Sequence, residues 1–530
     1  MPTGEGAQGT TEATREVRRR ARGTVRWILA AAIALAAVGL PFTLIRWPPI
    51  SDLPQQLAQI RLLHLALSHH GGPLVVGWLD PNRLSYLILQ IAWWIGGPVY
   101  AGRVTMAIFG ALWVAACFWL AWRRRRAADA AVLASLLFFN HVTYWGFFGF
   151  MLGWPVFALW LELSTRPTGD GRWAHWRQIL LLLGVGFLLF ESHVLWWAAG
   201  CAWLGAESLL SRRSLRDWTD RAISQAPLAL WALLWFPTLA REGFGSQTVW
   251  GTSFLGRLSP VWLSNALLGG LRGPAEPVIV ALLVLWMFAA LAQHRTELAR
   301  TVDRRLLLAA ALLGLLVFIL PQKHTNTIEF ASRWAPCALA LLLLGLPTPK
   351  LRSKVRMLIA IVLLVGLSTA TAVTWSRFDR VEMSGFEQAM QALPSRPHLL
   401  GLDFVRESRF VKGYPFLQLF AYSQVWHGGG LNFSFADFAT SLVRFEPPRH
   451  IPWTTGLEWF PTLAKPRDLA FFDYVLVCGD QRLQAVFTRR PQLEPVTETG
   501  VWRLYHVLRG RGEVTRGRRS TTRRVPRAGG

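Results

Sequence analysis

Long apolar runs alternate with short polar breaks that carry arginines, and the runs have the length of membrane spans. At about 20 residues per span, helices are expected at 27–46, 103–122, 128–143, 146–163, 179–192 and 194–210. Others are expected at 222–240, 276–293, 305–320, 335–347 and 357–375. One more run, 84–97, is apolar but only about 14 residues long, short of the usual spanning length. Cation placement decides how it lies. If 84–97 crossed, the arginines at 123–126 would fall opposite the arginine-rich N-terminus. If it rests on the surface, several clusters share the cytoplasmic side: 123–126, Arg166 with Arg172 and Arg177, Arg212 with Arg213, Arg295 with Arg304 and Arg305, and 350–356.

The predicted fold class is therefore a multi-span α-helical membrane protein of about eleven spans. A basic cytoplasmic tail occupies 1–26, and the membrane module covers 27–375 with a long first outer loop, 47–102, holding two interfacial helices. The segments 241–275 and 321–334 and everything after Trp375 are expected outside an inner (plasma) membrane. Beyond Trp375 the apolar runs shorten and prolines and charges rise. Residues 376–508 read as a small extracytoplasmic α/β domain: a helix from Phe386 to Leu393 stopped by Pro394, then buried strands at 398–402, 474–477 and 502–507. The arginine- and glycine-rich stretch 509–530 lacks apolar periodicity and reads as a disordered tail.

Composition sharpens this picture. With 52% hydrophobic residues and a mean hydropathy of +0.30, the chain is too apolar for a soluble protein with this many loops. The net charge of +25 would suggest a nucleic-acid partner in a soluble protein, but its cations cluster between apolar runs and at the termini. That pattern is topology, so no nucleic acid is expected. Cys117, Cys201 and Cys337 lie in apolar runs and Cys478 in the later domain, which leaves no disulfide framework and no zinc pattern.

Candidate chemistry gathers on the outer side. Asp52 stands just beyond the first span, where an ionisable group is costly to dehydrate. It reads either as a reactive carboxylate or as the N-cap of a helix over 53–67, which its Asp-x-Pro context also explains. Asp80, before Pro81, is a second outer carboxylate or a turn former. His69 and His70 suit metal or phosphate, or simply a solvated turn. The Glu191-Ser192-His193 turn breaks an apolar stretch of about 32 residues into two short spans, so its polar groups either line a cavity or meet headgroup water. Lys323, His324 and Arg333, in one short outer loop, suit a lipid phosphate or are snorkelling cations. Arg103 and Arg241, at outer helix ends, have the same two readings. Most of the 28 tryptophans read as interfacial anchors; Trp250 and Trp262, in outer loops, read either as anchors or as platforms on which a ligand ring stacks.

These pieces resemble the GT-C superfamily of membrane glycosyltransferases. Asp52-Leu53-Pro54-Gln55-Gln56-Leu57-Ala58-Gln59 is similar to an Asp-x-Pro-x-His-Leu-Ala-Arg stretch of uncharacterised bacterial members, with Gln56 and Gln59 in place of the His and Arg. Asn140-His141-Val142-Thr143-Tyr144-Trp145-Gly146-Phe147, Met151-Leu152-Gly153, Ser192-His193, His427-Gly428-Gly429 and Phe472-Asp473-Tyr474-Val475-Leu476-Val477 resemble further pieces of that group. The resemblance implies transfer of a sugar from a polyprenyl-phosphate carrier to a glycan, lipid or protein acceptor on the outer face. Asp52 would then act as general base or hold a divalent metal (Mg or Mn), with Asp80 completing the site. Arg103, His193, Arg241, Lys323, His324 and Arg333 would bind substrate. A transporter or flippase of envelope lipids or glycans, and a non-catalytic assembly or sensor protein, are the competing readings. No inverted repeat is visible, and few charges lie inside the expected spans.

Overall fold

The computed structural model describes residues 6–68, 72–166, 171–240, 247–325 and 327–508. His69, His70, Arg241 and the 509–530 tail lie outside them. Among the described residues, five helices are long and apolar enough to cross a membrane: Thr24–Leu44, Leu84–Arg123, Arg172–Ser192, Ala275–Gln293 and Ser353–Glu382. The shorter apolar helices Phe148–Ser164, Val194–Leu210 and Ser332–Gly345 pack among them. Leu233 and Leu234, on the Leu215–Ala240 helix, are both 72% exposed, as side chains turned towards acyl chains would be.

Two departures from the expected spans have local causes. The run Leu84–Arg123 is broken at Gly97, whose φ of 58° and ψ of −172° suit only glycine, and Pro98 then restarts the helix. A separate helix over 84–96 thus precedes the longer one. The helix expected over 128–143 is instead Ala128–Leu136, a turn, and the short helix His141–Trp145. Asn140 makes the break: its Oδ1 accepts from the backbone N–H groups of Val142 (2.9 Å) and Thr143 (3.3 Å), capping a new helix that Gly146 ends at φ 80°.

Cations collect at one end of the bundle. Arg126 donates to the carbonyls of Leu344, Gly345 and Leu346, closing the end of the Ala335–Gly345 helix. Arg123 and Arg124 pair with Glu162, while Arg213, Arg221 and Arg305 converge on the buried Glu207. Such pairing is what permits charge so close to hydrocarbon.

At the opposite end, residues 398–507 form a five-stranded sheet. His398–Asp403, Tyr474–Cys478 and Trp502–Val507, the three expected strands, are adjacent in its centre. The first two are parallel; Trp502–Val507 is antiparallel to Tyr474–Cys478 and to Leu493–Thr499. This region shares a core with the bundle. Trp47, from the first outer loop, packs on Phe386, Tyr422 and Trp426, and the Asp379 carboxylate accepts the backbone N–H groups of Arg46 and Trp47.

The Leu53–Leu67 helix, begun with Pro54 in its first turn, is bolted to the same region. Gln55 donates to the Phe433 carbonyl (3.1 Å) and accepts from the Phe435 N–H (3.1 Å); Gln59 accepts from the Val443 N–H (2.8 Å). Both amides are 0% exposed. Strand Leu74–Val76 adds a ladder with Val443–Phe445. Gln55→Leu should lower the melting temperature in detergent by an amount equivalent to about 1–3 kcal/mol, because two buried backbone groups lose their partners. Gln56→Leu, one position along and free of these bonds, should fall well below that loss in the same melting assay.

Candidate functional site

Asp52 is held by its backbone. Its N–H donates to the Trp145 carbonyl, the neighbouring Ser51 N–H donates to Tyr144, and the Ser51 hydroxyl donates to Tyr414 (each 3.0 Å). Gly146 leaves the space: a Cβ there would lie 2.9 Å from Ile50 and 3.5 Å from the Asp52 Cβ. Although Asp52 occupies the position before the Leu53–Leu67 helix, its carboxylate caps no helical N–H. The side chain is left for other work.

Burial pushes the Asp52 carboxyl up to about 7, against the opposing pull of the Arg333 guanidinium and a hydrogen bond from Gln418. Arg333, which burial brings down to about 10, stays charged at neutral pH. It lies over the rings of Phe147 (4.4 Å) and Phe150 (5.3 Å) and donates to the carbonyls of Ile328 and Glu329. His193 faces the same cation. Its Nδ1 accepts from the Leu195 N–H (3.2 Å), which fixes the proton on Nε2, and burial together with Arg333 pushes it down to about 3.

Two cavities open beside this group. One of about 190 Å³ is lined by Gln56, Arg83, Tyr86, His193, Arg333 and Thr440, among others. The other, about 480 Å³, is lined by His141, Trp145, Trp262, Glu329, Lys412 and Tyr414 with several neighbours. Asp52 lines neither, but its immediate supports do: Gln56, whose N–H donates to the Asp52 carbonyl, faces the first, and Trp145 and Tyr414 face the second.

Of the residues singled out in the sequence, the structure thus brings together Asp52, His193 and Arg333. Asp80 is elsewhere engaged. Its carboxylate pairs with Arg83 (2.9 Å) and with Arg444 (2.6 Å), so it ties the first outer loop to the C-terminal region in place of completing a reactive pair. Arg103 donates to the Ile45 carbonyl and covers the ring of Tyr100, a contact between helix ends. Lys323 and His324 lie on a two-residue ladder with Thr248 and Val249, His324 bonded to the Thr248 hydroxyl (2.9 Å). They line neither cavity, whereas Gln322, Glu329 and Ser332 of the same loop do. Trp262 lines the larger cavity; Trp250, 60% exposed, does not.

Other lining residues carried only faint sequence signals. Gln56 stood out as a departure from a motif, and His141 lay inside the aromatic Asn-His run. His141 is buried, at 7% exposure, with Ala266 and the charges of Glu329 and Arg333 near its ring. Arg83 and Tyr86 gave no signal at all. As for a metal, no group of three or more His, Cys, Asp or Glu side chains among the described residues is placed to hold one, and the charge facing Asp52 is a guanidinium.

No protein-family model matches the sequence, and no curated protein matches it. The fold is similar to that of ArnT from Cupriavidus metallidurans, a GT-C glycosyltransferase. Against its apo crystal structure the TM-score is 0.54 at 12% identity, covering 92% of this chain and 98% of that one. Against the structure bound to undecaprenyl phosphate it is 0.54 at 11% identity, covering 90% and 97%. The multi-helix membrane architecture anticipated from the sequence is therefore ArnT-like in fold.

Removing the Arg333 charge should free Asp52 and His193 to titrate at higher pH, since the cation disfavours a proton on both. In Arg333→Gln the pH dependence of the melting temperature attributable to Asp52, taken as the difference from the matching Asp52→Asn protein, should move above about 7. An unmoved midpoint would mean that the two groups do not sense each other.

Proposed function

We propose that this chain transfers a sugar from a polyprenyl-phosphate carrier to a hydroxyl of a glycan, lipid or protein acceptor at the outer membrane surface. Asp52 serves as general base. The observation that carries the reading is a carboxyl raised to about 7 that senses the buried Arg333 guanidinium, with Gln56 of the following turn lining one cavity and Trp145 and Tyr414, which hold the Ser51-Asp52 backbone, lining another. Support comes also from the likeness in fold to ArnT, one of whose structures contains undecaprenyl phosphate.

In the proposed step the acceptor oxygen attacks the anomeric carbon, and the bond from that carbon to the phosphate oxygen breaks. The electron pair leaves on the phosphate, whose growing negative charge meets Arg333, and the hydroxyl proton passes to Asp52. A base with a pKa near 7 is half ionised at neutral pH and still strong enough to accept that proton. No step is routed through a metal. His193, neutral and donating through Nε2, is placed to orient a substrate oxygen in the smaller cavity.

The same reading assigns about eleven crossings, a cytoplasmic N-terminus and an extracytoplasmic 376–508 region in the inner membrane. The gathering of Arg126, Arg213 and Arg305 at one end of the bundle and of Asp52 at the other supports that orientation.

Purified protein in lipid nanodiscs, supplied with polyprenyl-phosphate sugars and candidate acceptors with and without divalent cations, tests the proposal. Asp52→Asn should lose at least about 100-fold in turnover. Wild-type turnover should rise with pH to a plateau above about 7, as the base ionises. Stability should run the other way. Because the folded pKa lies above the ordinary 3.8, the folded chain holds an extra proton between these values, and its stability falls as pH rises through that window. Asp52→Asn should therefore melt above wild type at pH 8, with the gap closing towards pH 4. An Asp52→Asn protein that turns over lipid-linked sugar at the wild-type rate would end the assignment.

A further inference from the structure

The cationic end of the bundle contains a third cavity, of about 500 Å³, remote from Asp52. It lies where the start of the Thr24–Leu44 helix, the turn at 127–129 and the start of the Ser353–Arg377 helix meet. At about 1.5 Å per residue, the first of these helices carries Arg26 about 27 Å from Leu44. Nothing in the proposed transfer reaches this far.

Its lining is divided in two. The wall is apolar, built from Trp27, Leu29, Ile33, Met357, Leu358 and Ile361. Leu29 and Leu358 are 57% and 62% exposed, so the wall opens sideways between helices. The rim carries Arg26, Lys354 and Arg356 against a single carboxylate, Asp129. Asp129 is spent on Arg356, whose Nε sits 2.7 Å from Oδ2 and whose Nη1 reaches the carbonyls of Pro349 and Leu351. Arg26 and Lys354 are exposed and have no partner among the described residues. The cavity therefore presents two uncompensated cations at one edge and a hydrocarbon-compatible wall below them.

We infer that this cavity binds an anionic membrane phospholipid, with its phosphate between Arg26 and Lys354 and the upper part of an acyl chain along Trp27, Ile33 and Leu358. Size, shape and charge agree. The volume falls within the range of about 300–1,000 Å³ usual for small-molecule sites. A free anion would leave the apolar wall wet, and a neutral lipid would leave both cations unpaired. Basic pockets between helices at the cytoplasmic membrane surface suit anionic headgroups for this reason, and each such cation contributes about 1 kcal/mol at the surface.

The test uses the full-length protein in nanodiscs of phosphatidylcholine containing graded phosphatidylglycerol, with bound lipid counted by native mass spectrometry. Wild type should retain phosphatidylglycerol, and the double variant Arg26→Ala/Lys354→Ala should bind it about tenfold or more weakly. A matched loss of two exposed cations outside the cavity, Arg295→Ala/Arg300→Ala, should change binding less than twofold. Phosphatidylglycerol with brominated chains should quench a fluorescence component that is missing in Trp27→Phe, and glycerol phosphate without chains should not compete. Equal losses in the two double variants would mean diffuse surface charge and overturn the site. So would competition by glycerol phosphate, quenching that Trp27→Phe leaves unchanged, or preference for polyprenyl phosphate over phosphatidylglycerol.

Discussion

The end of the molecule that carries Asp52 depends on two buried amides. Gln55 and Gln59 lie one turn apart on the Leu53–Leu67 helix and spend their side chains on backbone groups of residues 433, 435 and 443. Because i and i+4 share a helix face, that stripe fixes the rotation of the helix about its axis. Asp52 and Gln56, also one turn apart, form the adjacent stripe, so their direction is set by the same bonds. An apolar pair in place of the glutamines would bury as well but would tolerate sliding; a backbone hydrogen bond does not. The ion pairs of Asp80 with Arg83 and Arg444 and the Leu74–Val76 ladder then hold the rest of the loop to that setting.

The arrangement around Asp52 works against stability. A carboxyl that burial raises to about 7 favours its protonated form in the fold, and the nearby guanidinium only partly offsets this. Evolution tolerates such a position where the raised basicity is used. Arg333 is bound to its place by two carbonyls and two aromatic faces, which leaves its charge directed at its neighbours while its orientation costs little further entropy.

Much of the architecture was legible because it rests on periodicity and charge. The helix starting at Leu53, the separation of 84–96 from the longer helix after it and the three central strands followed from run length and punctuation. The break at Asn140 was hidden because the side chain that makes it is compatible with a helix until its partners, the Val142 and Thr143 N–H groups, are known. In the site, Asp52 was visible as a charge in a costly place and Arg333 as a cation in a short loop. Asp80 read as a second outer carboxylate or a turn former, and its two partners lie three and 364 residues away, Arg83 and Arg444. Gln59 looked like a lost charge and is a structural bolt. Long-range partners cannot be read from a single sequence, and in this chain they decide which polar residues are free.

Those separations also bear on how the protein comes into being. The Gln59 bond to Val443 joins residues 384 apart. At a synthesis rate of about 5–20 residues per second, the segment bearing Asp52 leaves the ribosome roughly 20–80 s before its anchor exists. Throughout that interval the Leu53–Leu67 segment lacks the backbone partners that set its rotation in the finished fold. The setting around Asp52 thus forms only in chains completed through residue 443.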